Sequence, residues 1–181
     1  HELRRDDGRW LRSWQADEDG GGGGRASVLA FAADHAALVD AFVRLAEATG
    51  EARWIDLAGA TADTMLDHFW DVDHGGLFTT ADDGEALVAR QKDLLDNATP
   101  SANSMAAVAL YRLAALTAET RYANHADRIL QLVGAVIDQA PSAFANSLAA
   151  VALHEHGVAL AHLAVEVLHA QRLAAPRVRR E

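Results

Sequence analysis

The sequence contains no cysteine in 181 residues, which excludes disulfide bonds, thiol catalysis and thiolate metal sites. Proline and aromatic residues are also scarce, at 3 residues and 6% of the chain. No uninterrupted apolar run reaches the roughly 18 residues of a membrane-spanning helix, so we expect no membrane partner. The N-terminus is polar and lacks the pattern of a signal peptide, which makes the cytoplasm the expected location.

Basic residues are outnumbered, because 16 Lys and Arg against 26 Asp and Glu give a net charge of −10. A nucleic-acid surface needs a basic stripe, so we expect no nucleic-acid partner. Half of the residues are hydrophobic, and many of them are alanine, the strongest helix former. The composition therefore predicts one all-α domain that is long enough to bury a sizeable core.

The order of patterns along the chain divides it into three parts. Residues 1–27 contain the run Gly20–Gly24. Ordering such a run costs much conformational entropy, so this part is predicted to be a flexible N-terminal loop or linker. Residues 28–157 are predicted to form α-hairpin repeats. Residues 158–181 are of uncertain structure, because their apolar pattern fits a helix or a strand.

Apolar residues recur at helical spacing in five stretches of the middle part. The predicted helices are 34–49, 52–69, 101–116, 121–138 and 143–154. The composition of Asp71–Gly76 is typical of a turn. Two short strands are predicted after it, around 77–79 and 86–89.

An internal repeat is the strongest architectural signal. With a shift of 68 residues, Arg44-Leu45-Ala46 falls on Arg112-Leu113-Ala114, and seven residues are identical over positions 44–58. Both copies consist of a helix, a turn with the pattern Thr-x-Glu-x-Arg-aromatic, and a second helix. A single hairpin cannot bury its apolar face alone, so stacked hairpins are expected.

The most polar stretch runs from Lys92 to Ser104 and places carboxylates, amides and hydroxyls around Pro100, directly before an apolar helix. One interpretation is a structured turn in which Ser101 or Thr99 caps the helix. The other is a binding loop, in which helix N–H groups and amide side chains face a polar ligand. The sequence leaves both open.

This stretch also carries the most specific part of a family resemblance. Over about residues 8–155 the chain resembles the YyaL-type family of thioredoxin-domain-containing proteins, also described as spermatogenesis-associated-protein-20-like. The matching runs are Phe31–Ala36, Ala48–Trp54, Phe69–Asp71, Gly75–Thr80, Lys92-Asp93 and Asp96–Ser104. The chain departs from the family at His35, where an aromatic residue is expected, at Ala33, where an acid is expected, and at Ala102, where glycine is expected.

The resemblance implies an α/α toroid of the six-hairpin glycosidase-like kind, similar to those of N-acylglucosamine 2-epimerases. This chain would form the C-terminal part of such a ring, with a short β-hairpin insertion. The remainder of the ring or a second chain would then cover its core helices. The family also has a thioredoxin-like domain with cysteines, but no redox chemistry is assigned to this cysteine-free chain, and no cofactor is expected.

Toroids hold their ligands in the mouth of the ring, and the resemblance implies a site there. The candidate catalytic residues are Asp34, His35 and Asp93. The candidate ligand-binding residues are Trp70, Phe78, Asp96, Asn97, Ser101 and Asn103. Paired carboxylates such as Asp93 and Asp96 suit glycosidic acid–base chemistry, although their separation in a loop does not follow from the sequence.

Each candidate also has a structural interpretation. Asp34 is a good N-cap for the first helix, and His35 is expected at the surface or in loop packing. Asp93 can pair with Lys92 or Arg90, and the two aromatic rings suit core packing.

Two other groups of polar residues are not predicted to bind metal. Asp71, Asp73 and His74 lie close in sequence, but the further acidic ligands of a calcium loop are missing, and a turn is preferred. The histidines near the C-terminus form no Glu-x-x-His pair on a firm helix.

Two functions of different classes follow. The first is a toroid that binds or modifies a polar, sugar-like ligand through the loop before helix 101–116, with an epimerase-, isomerase- or glycosidase-like activity if it is an enzyme. Only His35 is placed as a proton carrier, which weakens the enzyme hypothesis. The second is a non-catalytic scaffold for a thioredoxin-like domain or a partner chain. Convergence of Asp34, Asp93 and Asn103 on one cavity would favour the first.

Overall fold

A computed structural model describes residues 3–16, 24–84 and 89–156, and these residues are mostly helical. The strands are β1 (Leu11–Ala16) and β2 (Gly24–Leu29). The helices are α1 (Ala32–Thr49), α2 (Ala52–Phe69), α3 (Ala102–Thr117), α4 (Thr120–Val133) and α5 (Ala145–His156), with a 3-10 turn at Pro141–Phe144 before α5. The uncertain segment 158–181 and most of the strand predicted at 86–89 lie outside the described residues.

The helix α3 is at the centre of the fold. It packs against α1 and α5, while α2 packs on α1 and α3, and α4 packs on α3 and α5. The helices therefore form two layers, with α1, α3 and α5 in one and α2 and α4 in the other. Leu110 and Leu113 of α3 have no exposed surface, which places the core around this helix. Stacked hairpins are thus present, whereas the closed toroid stays a prediction.

The 68-residue repeat corresponds to two αα-hairpins with equivalent turns. Thr49 and Thr117 each donate their hydroxyl to the carbonyl four residues earlier, at 2.7 and 2.8 Å. Each hydroxyl also accepts the N–H two residues later, at 3.3 and 3.2 Å. In both copies the arginine lies over the ring of the following aromatic residue. The predicted common turn is confirmed at the level of individual hydrogen bonds.

Parts of residues 1–27, which were predicted to be a flexible loop or linker, form strands, while residues 17–23 with most of the glycine run lie outside the described residues. The strands β1 and β2 pair antiparallel. Trp10, just before β1, packs against Phe42 of α1 with 6.0 Å between the ring centroids. Its Nε1–H donates to the Thr61 hydroxyl of α2 at 3.2 Å. A single aromatic residue therefore joins the strands to both helices of the first hairpin.

The first of the two strands predicted after α2, at 77–79, does not form, and most of the second lies outside the described residues. Among the described residues of that region, Leu77 forms only an isolated bridge with Trp70. The N–H and C=O of Leu77 bond instead to the side chain of Asn103, at 2.7 and 3.0 Å. A side chain thus takes the place of a second strand at Leu77, and no ladder extends from it among residues 70–84 and 89–104.

The predicted helix ends differ from the structure by a few residues. The helix α4 ends at Val133, before Gly134, rather than at 138, and α5 begins at Ala145 after the 3-10 turn. The bounds of α2 agree with the prediction. None of the described helices is both long and apolar enough to cross a membrane.

The residue that directly follows the first helix differs between the two hairpin turns, which provides a test of the repeat. Gly50 (φ 68°) and Ala118 (φ 60°) both adopt the left-handed conformation at the end of a helix. A Cβ atom disfavours this conformation by about 1 kcal/mol. We expect Ala118→Gly to raise the free energy of unfolding and Gly50→Ala to lower it, each by about 1 kcal/mol. Urea unfolding followed by circular dichroism measures both, and changes of the same sign would contradict the equivalence of the turns.

Candidate functional site

The polar stretch that precedes α3 lies where the N-termini of three helices meet. Ala32, at the start of α1, donates its N–H to the carbonyl of Thr79 at 3.1 Å, and Thr79 donates to the carbonyl of Gln91 at 2.7 Å. Further along, the N–H of Asp96 donates to the carbonyl of Ala143, just before α5, at 2.8 Å. The segment therefore runs from the start of α1, past α3, to the start of α5.

Asp96 joins α3 and α5 through one carboxylate. Its Oδ1 accepts hydrogen bonds from the Ser101 N–H at 2.8 Å and the Ser104 hydroxyl at 2.5 Å. Its Oδ2 accepts from the N–H groups of Asn146 at 2.8 Å and Ser147 at 3.4 Å. The first N–H groups of a helix lack intrahelical partners, and the helix dipole is positive at that end. One carboxylate therefore accepts hydrogen bonds at the N-termini of two helices and interacts favourably with both helix dipoles.

The same contacts control the ionisation of Asp96. Partial burial alone would raise its pKa, because it disfavours the charged form. Hydrogen bonds from the Ser104 hydroxyl and from the amides of Ser101 and Asn146 outweigh this effect, and the pKa lies below its ordinary value. Asp96 is therefore a stable anion at neutral pH.

Asn103 is 1% exposed and bonded through both side-chain atoms. Its Oδ1 accepts the Leu77 N–H at 2.7 Å, and its Nδ2 donates to the carbonyls of Leu77 at 3.0 Å and Asp93 at 2.8 Å. Gly76 has φ 78°, and a Cβ there would lie 2.5 Å from Leu132 Cδ1 and 3.1 Å from Asn103 Oδ1. The glycine thus suits both the positive φ and the close approach of this chain segment to α3 and α4.

A buried ion pair fixes the other end of the segment. Lys92 Nζ lies 2.7 Å from Asp71 Oδ2 and donates to the Gly75 carbonyl at 2.5 Å. Asp71 Oδ1 accepts the N–H groups of Asp73 and His74, both at 3.0 Å, which confirms the predicted turn. The contact with Lys92, and next the His74 amide, lower the pKa of Asp71 to about 2.

Asp93 does not pair with either predicted cation. Lys92 is bound to Asp71, and Arg90 donates to the carbonyls of His68 and Thr80. The Asp93 side chain is exposed, and among the described residues it accepts one long hydrogen bond, from the Ala102 N–H at 3.3 Å. Of the loop's carboxylates, Asp93 is the one that faces solvent.

Asp34 was predicted to be the N-cap of α1, and this is wrong, because Asp34 lies inside the first turn and Phe31 is the N-cap. The helix begins two residues earlier, and Asp34 Oδ2 accepts the Phe31 N–H at 2.8 Å. Arg12 Nε of β1 is 3.5 Å from the same oxygen. Within the described residues, no hydrogen bond or ion pair joins Asp34 to Asp93 or Asn103. The structure therefore does not bring the three together through direct contacts.

His35 is fully buried, so its predicted surface position is wrong. Its ring is tilted against Phe69, with centroids 5.1 Å apart, and its Nδ1 lies 3.0 Å from the Phe31 carbonyl. Burial is the main cause of a lowered pKa, so the imidazole is neutral at neutral pH. The spacing of His35 with Val39 and Phe42, both in the core, is the sequence signal that indicates burial.

The candidate aromatic residues are half-buried and lie beside cations. The ring of Trp70 meets His125 edge-on at 4.5 Å, and Arg128 lies over it at 5.3 Å. Phe78 has Arg90 at 4.3 Å and Lys92 at 5.2 Å from its ring centre. The cationic partners occupy ring surface on which a sugar would otherwise stack.

Ser101 and Asn97 have different positions in the loop. Ser101 is buried and its hydroxyl accepts the Ser104 N–H at 3.1 Å, so the predicted N-cap is confirmed. Asn97 is exposed, and its N–H donates to the Thr99 carbonyl at 3.0 Å.

A second repeat explains the contacts that sequence reasoning missed. Residues 102–110 and 145–153, which are 43 apart, share eight identities in nine positions. Both begin with Ala-Asn-Ser at the start of a helix that contacts Asp96. Asn146 also donates Nδ2–H to the Ser104 hydroxyl at 3.2 Å. Comparison of the two Ala-Asn-Ser runs is the signal by which the role of the second helix was predictable.

A further polar cluster lies away from this loop. The potential ligand atoms of His68, Asp82 and Asp83 lie within 4.8 Å of one another. Asp83, however, forms an ion pair with Arg9, which is 3% exposed, and His68 Nδ1 lies 2.8 Å from Asp82 Oδ1. A guanidinium already supplies positive charge there, so this cluster does not fit a resident cation.

Comparison with known proteins gives a partial relationship. No family model matches the chain. The chain is similar to spermatogenesis-associated protein 20 of Homo sapiens, with 41% identity over 88 residues, which are 48% of this chain and 11% of the human protein. The proteins of that name from Mus musculus and Rattus norvegicus show the same identity and coverage. The chain thus matches a small part of its relatives' length, and homology over about half of the chain supports the family resemblance carried by its motifs.

Proposed function

We propose that this chain is a helical-hairpin scaffold module of a protein related to spermatogenesis-associated protein 20. In this proposal the Lys92–Ser104 loop ties the hairpins together and is not a catalytic centre. The observation that supports it most directly is the use of the loop's polar groups by the chain itself. Asp96 accepts four hydrogen bonds from two helices, and Asn103 is bonded to the backbone on both sides.

The helix N-terminus that a ligand would need is also occupied. A polar or anionic ligand binds at a helix start through free N–H groups. At α3, the N–H groups of Ser101, Ala102 and Ser104 donate to Asp96, Asp93 and the Ser101 hydroxyl, respectively. These internal acceptors take three of the four N–H groups at the start of the helix, which supports a structural role for the loop.

The ionisation states argue against an acid–base pair. A glycosidase of the usual kind needs one carboxylic acid with a raised pKa beside a carboxylate. The pKa of Asp96 is lowered instead, and His35, the only histidine among the candidates, is enclosed in the core. Neither Asp96 nor His35 is therefore suited to donate a proton to a sugar.

The scaffold would present exposed apolar side chains to a thioredoxin-like domain or a partner chain. Leu95, in the loop, is 52% exposed, and Val72, in the turn that binds Lys92, is 74% exposed. Burial of such side chains at an interface is favourable. The competing function, binding of a sugar-like ligand, rests on the exposed Asp93 and Asn97 of the same loop.

The scaffold proposal predicts unequal roles for the two loop aspartates. Asp96→Ala removes the shared acceptor of two helix starts, and we expect the free energy of unfolding to fall by about 2–3 kcal/mol. The matched control Asp93→Ala loses one long, exposed hydrogen bond, and we expect a change within about 0.5 kcal/mol. Chemical denaturation measures both. Equal losses would contradict the special role of Asp96.

The ion pair at the start of the loop predicts acid sensitivity. The pKa of Asp71 is about 2 in the folded chain, against about 3.9 for an unperturbed aspartate. A carboxyl whose pKa is lowered on folding stabilises the protein above its unfolded pKa, and this contribution is lost as the pH falls towards the folded pKa. We expect the melting temperature to drop between about pH 4.5 and pH 2. The drop should be smaller for Asp71→Asn and unchanged for the exposed control Asp73→Asn.

A ligand screen separates the scaffold from the sugar-binding alternative. We expect no change in melting temperature when the chain is mixed with mono- and disaccharides. A bound ligand at 100 times its dissociation constant would stabilise by about 2.7 kcal/mol. A saturable shift for one sugar, lost in Asp93→Ala while that variant remains as stable as the parent chain, would overturn the scaffold proposal in favour of ligand binding.

A further inference from the structure

Two buried side chains near the start of α1 have polar atoms without a hydrogen-bond partner. Arg9, two residues before β1, is 3% exposed, and its Nε and Nη2 atoms form no hydrogen bond with the described residues. His35 has no exposed surface, and its Nε2 atom is likewise unpaired there. Buried polar groups are nearly always paired, and an unpaired buried charge is costly. These atoms are therefore candidates for contact with a ligand.

The guanidinium of Arg9 is held at one end and leaves one edge unpaired. Its Nη1 forms an ion pair with Asp83 Oδ2. Because the Asp83 side chain is half-exposed, the guanidinium lies just beneath the surface. The Nε–H and Nη2–H groups lie side by side on the edge away from Nη1, and two parallel donors of this kind match the two oxygens of a carboxylate. The free edge of Arg9, defined by Nε and Nη2, therefore fits a carboxylate.

His35 offers a hydrogen-bond acceptor. Its Nδ1 lies 3.0 Å from the Phe31 carbonyl, and a carbonyl only accepts, so Nδ1 carries the proton. Burial, and to a smaller extent the charge of Arg9, lowers the pKa of His35. The ring is therefore neutral, and Nε2 keeps its lone pair for a donor such as a hydroxyl group. The effect of the Arg9 charge also places the two side chains near each other.

Neighbouring carboxylates of the described chain are bound elsewhere and do not take the free edge of Arg9. Asp34 accepts the Phe31 N–H at 2.8 Å, and its Oδ2 lies 3.5 Å from Arg12 Nε. Asp82 Oδ1 lies 2.8 Å from the Nδ1 atom of His68. The second oxygen pair that the guanidinium can bind is therefore not supplied by these two residues.

We propose that Arg9 and His35 form a binding site for a small hydroxycarboxylate. The free edge of Arg9 binds the two carboxylate oxygens, and Nε2 of His35 accepts the hydrogen bond of the ligand's hydroxyl group. The site is separate from the Lys92–Ser104 loop, so the proposal holds whether or not that loop is purely structural. Neutral mono- and disaccharides lack the carboxylate that the arginine requires.

A titration of the full chain tests the site without any substitution. The probes are glycolate and 3-hydroxypropionate, whose hydroxyl groups lie at different distances from the carboxylate. Binding is followed by the Arg9 Nε–H signal in nitrogen-15 NMR spectra. We expect a saturable shift of this signal with at least one of the two probes. Acetate lacks the hydroxyl group and should bind about fivefold more weakly, because one hydrogen bond is lost.

Two variants separate the roles of the side chains. Arg9→Lys keeps the positive charge but removes the two parallel donors, and we expect at least about tenfold weaker binding. The matched control Arg5→Lys changes an exposed arginine that pairs with Asp7 and should leave the affinity unchanged. His35→Phe keeps an aromatic ring beside Phe69 and should abolish the preference for the hydroxylated probe over acetate. This second variant also serves if Arg9→Lys disturbs folding.

Three results would overturn the proposal. The first is the lack of saturable binding of both hydroxylated probes to the parent chain. The second is equal affinity of the parent chain and a folded Arg9→Lys variant, because general charge attraction then explains the binding. The third is binding that appears only in Glu85→Gln, a substitution outside the described residues, because the free edge of Arg9 then belongs to a carboxylate of the chain itself.

Discussion

The carboxylate of Asp96 is the contact on which the arrangement of the helices depends. It accepts hydrogen bonds from the first turns of α3 and α5 at once, and α3 in turn packs against four of its neighbours in the two layers. An apolar side chain at this position would leave donors of two helix starts without an acceptor, in a region where Ser101, Ser104 and Ser147 are buried. Buried donors without partners are costly, so one negative charge stabilises both the position of α5 and the path of the preceding loop.

Internal hydrogen bonds also reduce the number of polar groups in the loop that are free to contact a ligand. A binding site keeps polar groups directed at solvent until a ligand arrives, whereas Asn103 and Lys92 are directed inward and bonded to the chain. These contacts are connected. Asn103 is hydrogen-bonded to Leu77, and the turn before Leu77 binds Lys92 through the Asp71 carboxylate and the Gly75 carbonyl. A polar sequence before a helix is therefore compatible with an entirely structural use. What decides between the two uses is the number of internal acceptors and donors already paired, and here that number is high.

The sequence was a good guide to helices and a poor guide to contacts between distant segments. Periodicity gave the bounds of α2 and the common turn of the two hairpins, because both depend on residues within a few positions of each other. The N-cap role of Ser101 is equally local. Asp96, by contrast, reaches Asn146, 50 positions further on, and nothing in the local pattern of the loop specifies that contact. The strand expected near Leu77 failed for a related reason, since the side chain of Asn103 supplies the pairing that a strand would have supplied. The burial of His35 follows from its place in the apolar stripe of α1, which outweighs the polarity of the imidazole.

The two Ala-Asn-Ser runs show how context changes the role of an identical motif. Asn103 is enclosed because the long connection between α2 and α3 crosses it and offers the backbone of Leu77 and Asp93. Asn146 follows a much shorter connection, is only half-buried, and donates to the Ser104 hydroxyl instead. The repeated motif therefore does not carry a fixed chemical function; it provides a helix start with an amide side chain, and the segment that passes over it determines the partner. Because Asp96 bonds to the helix starts that carry both runs, it links α3 and α5 directly.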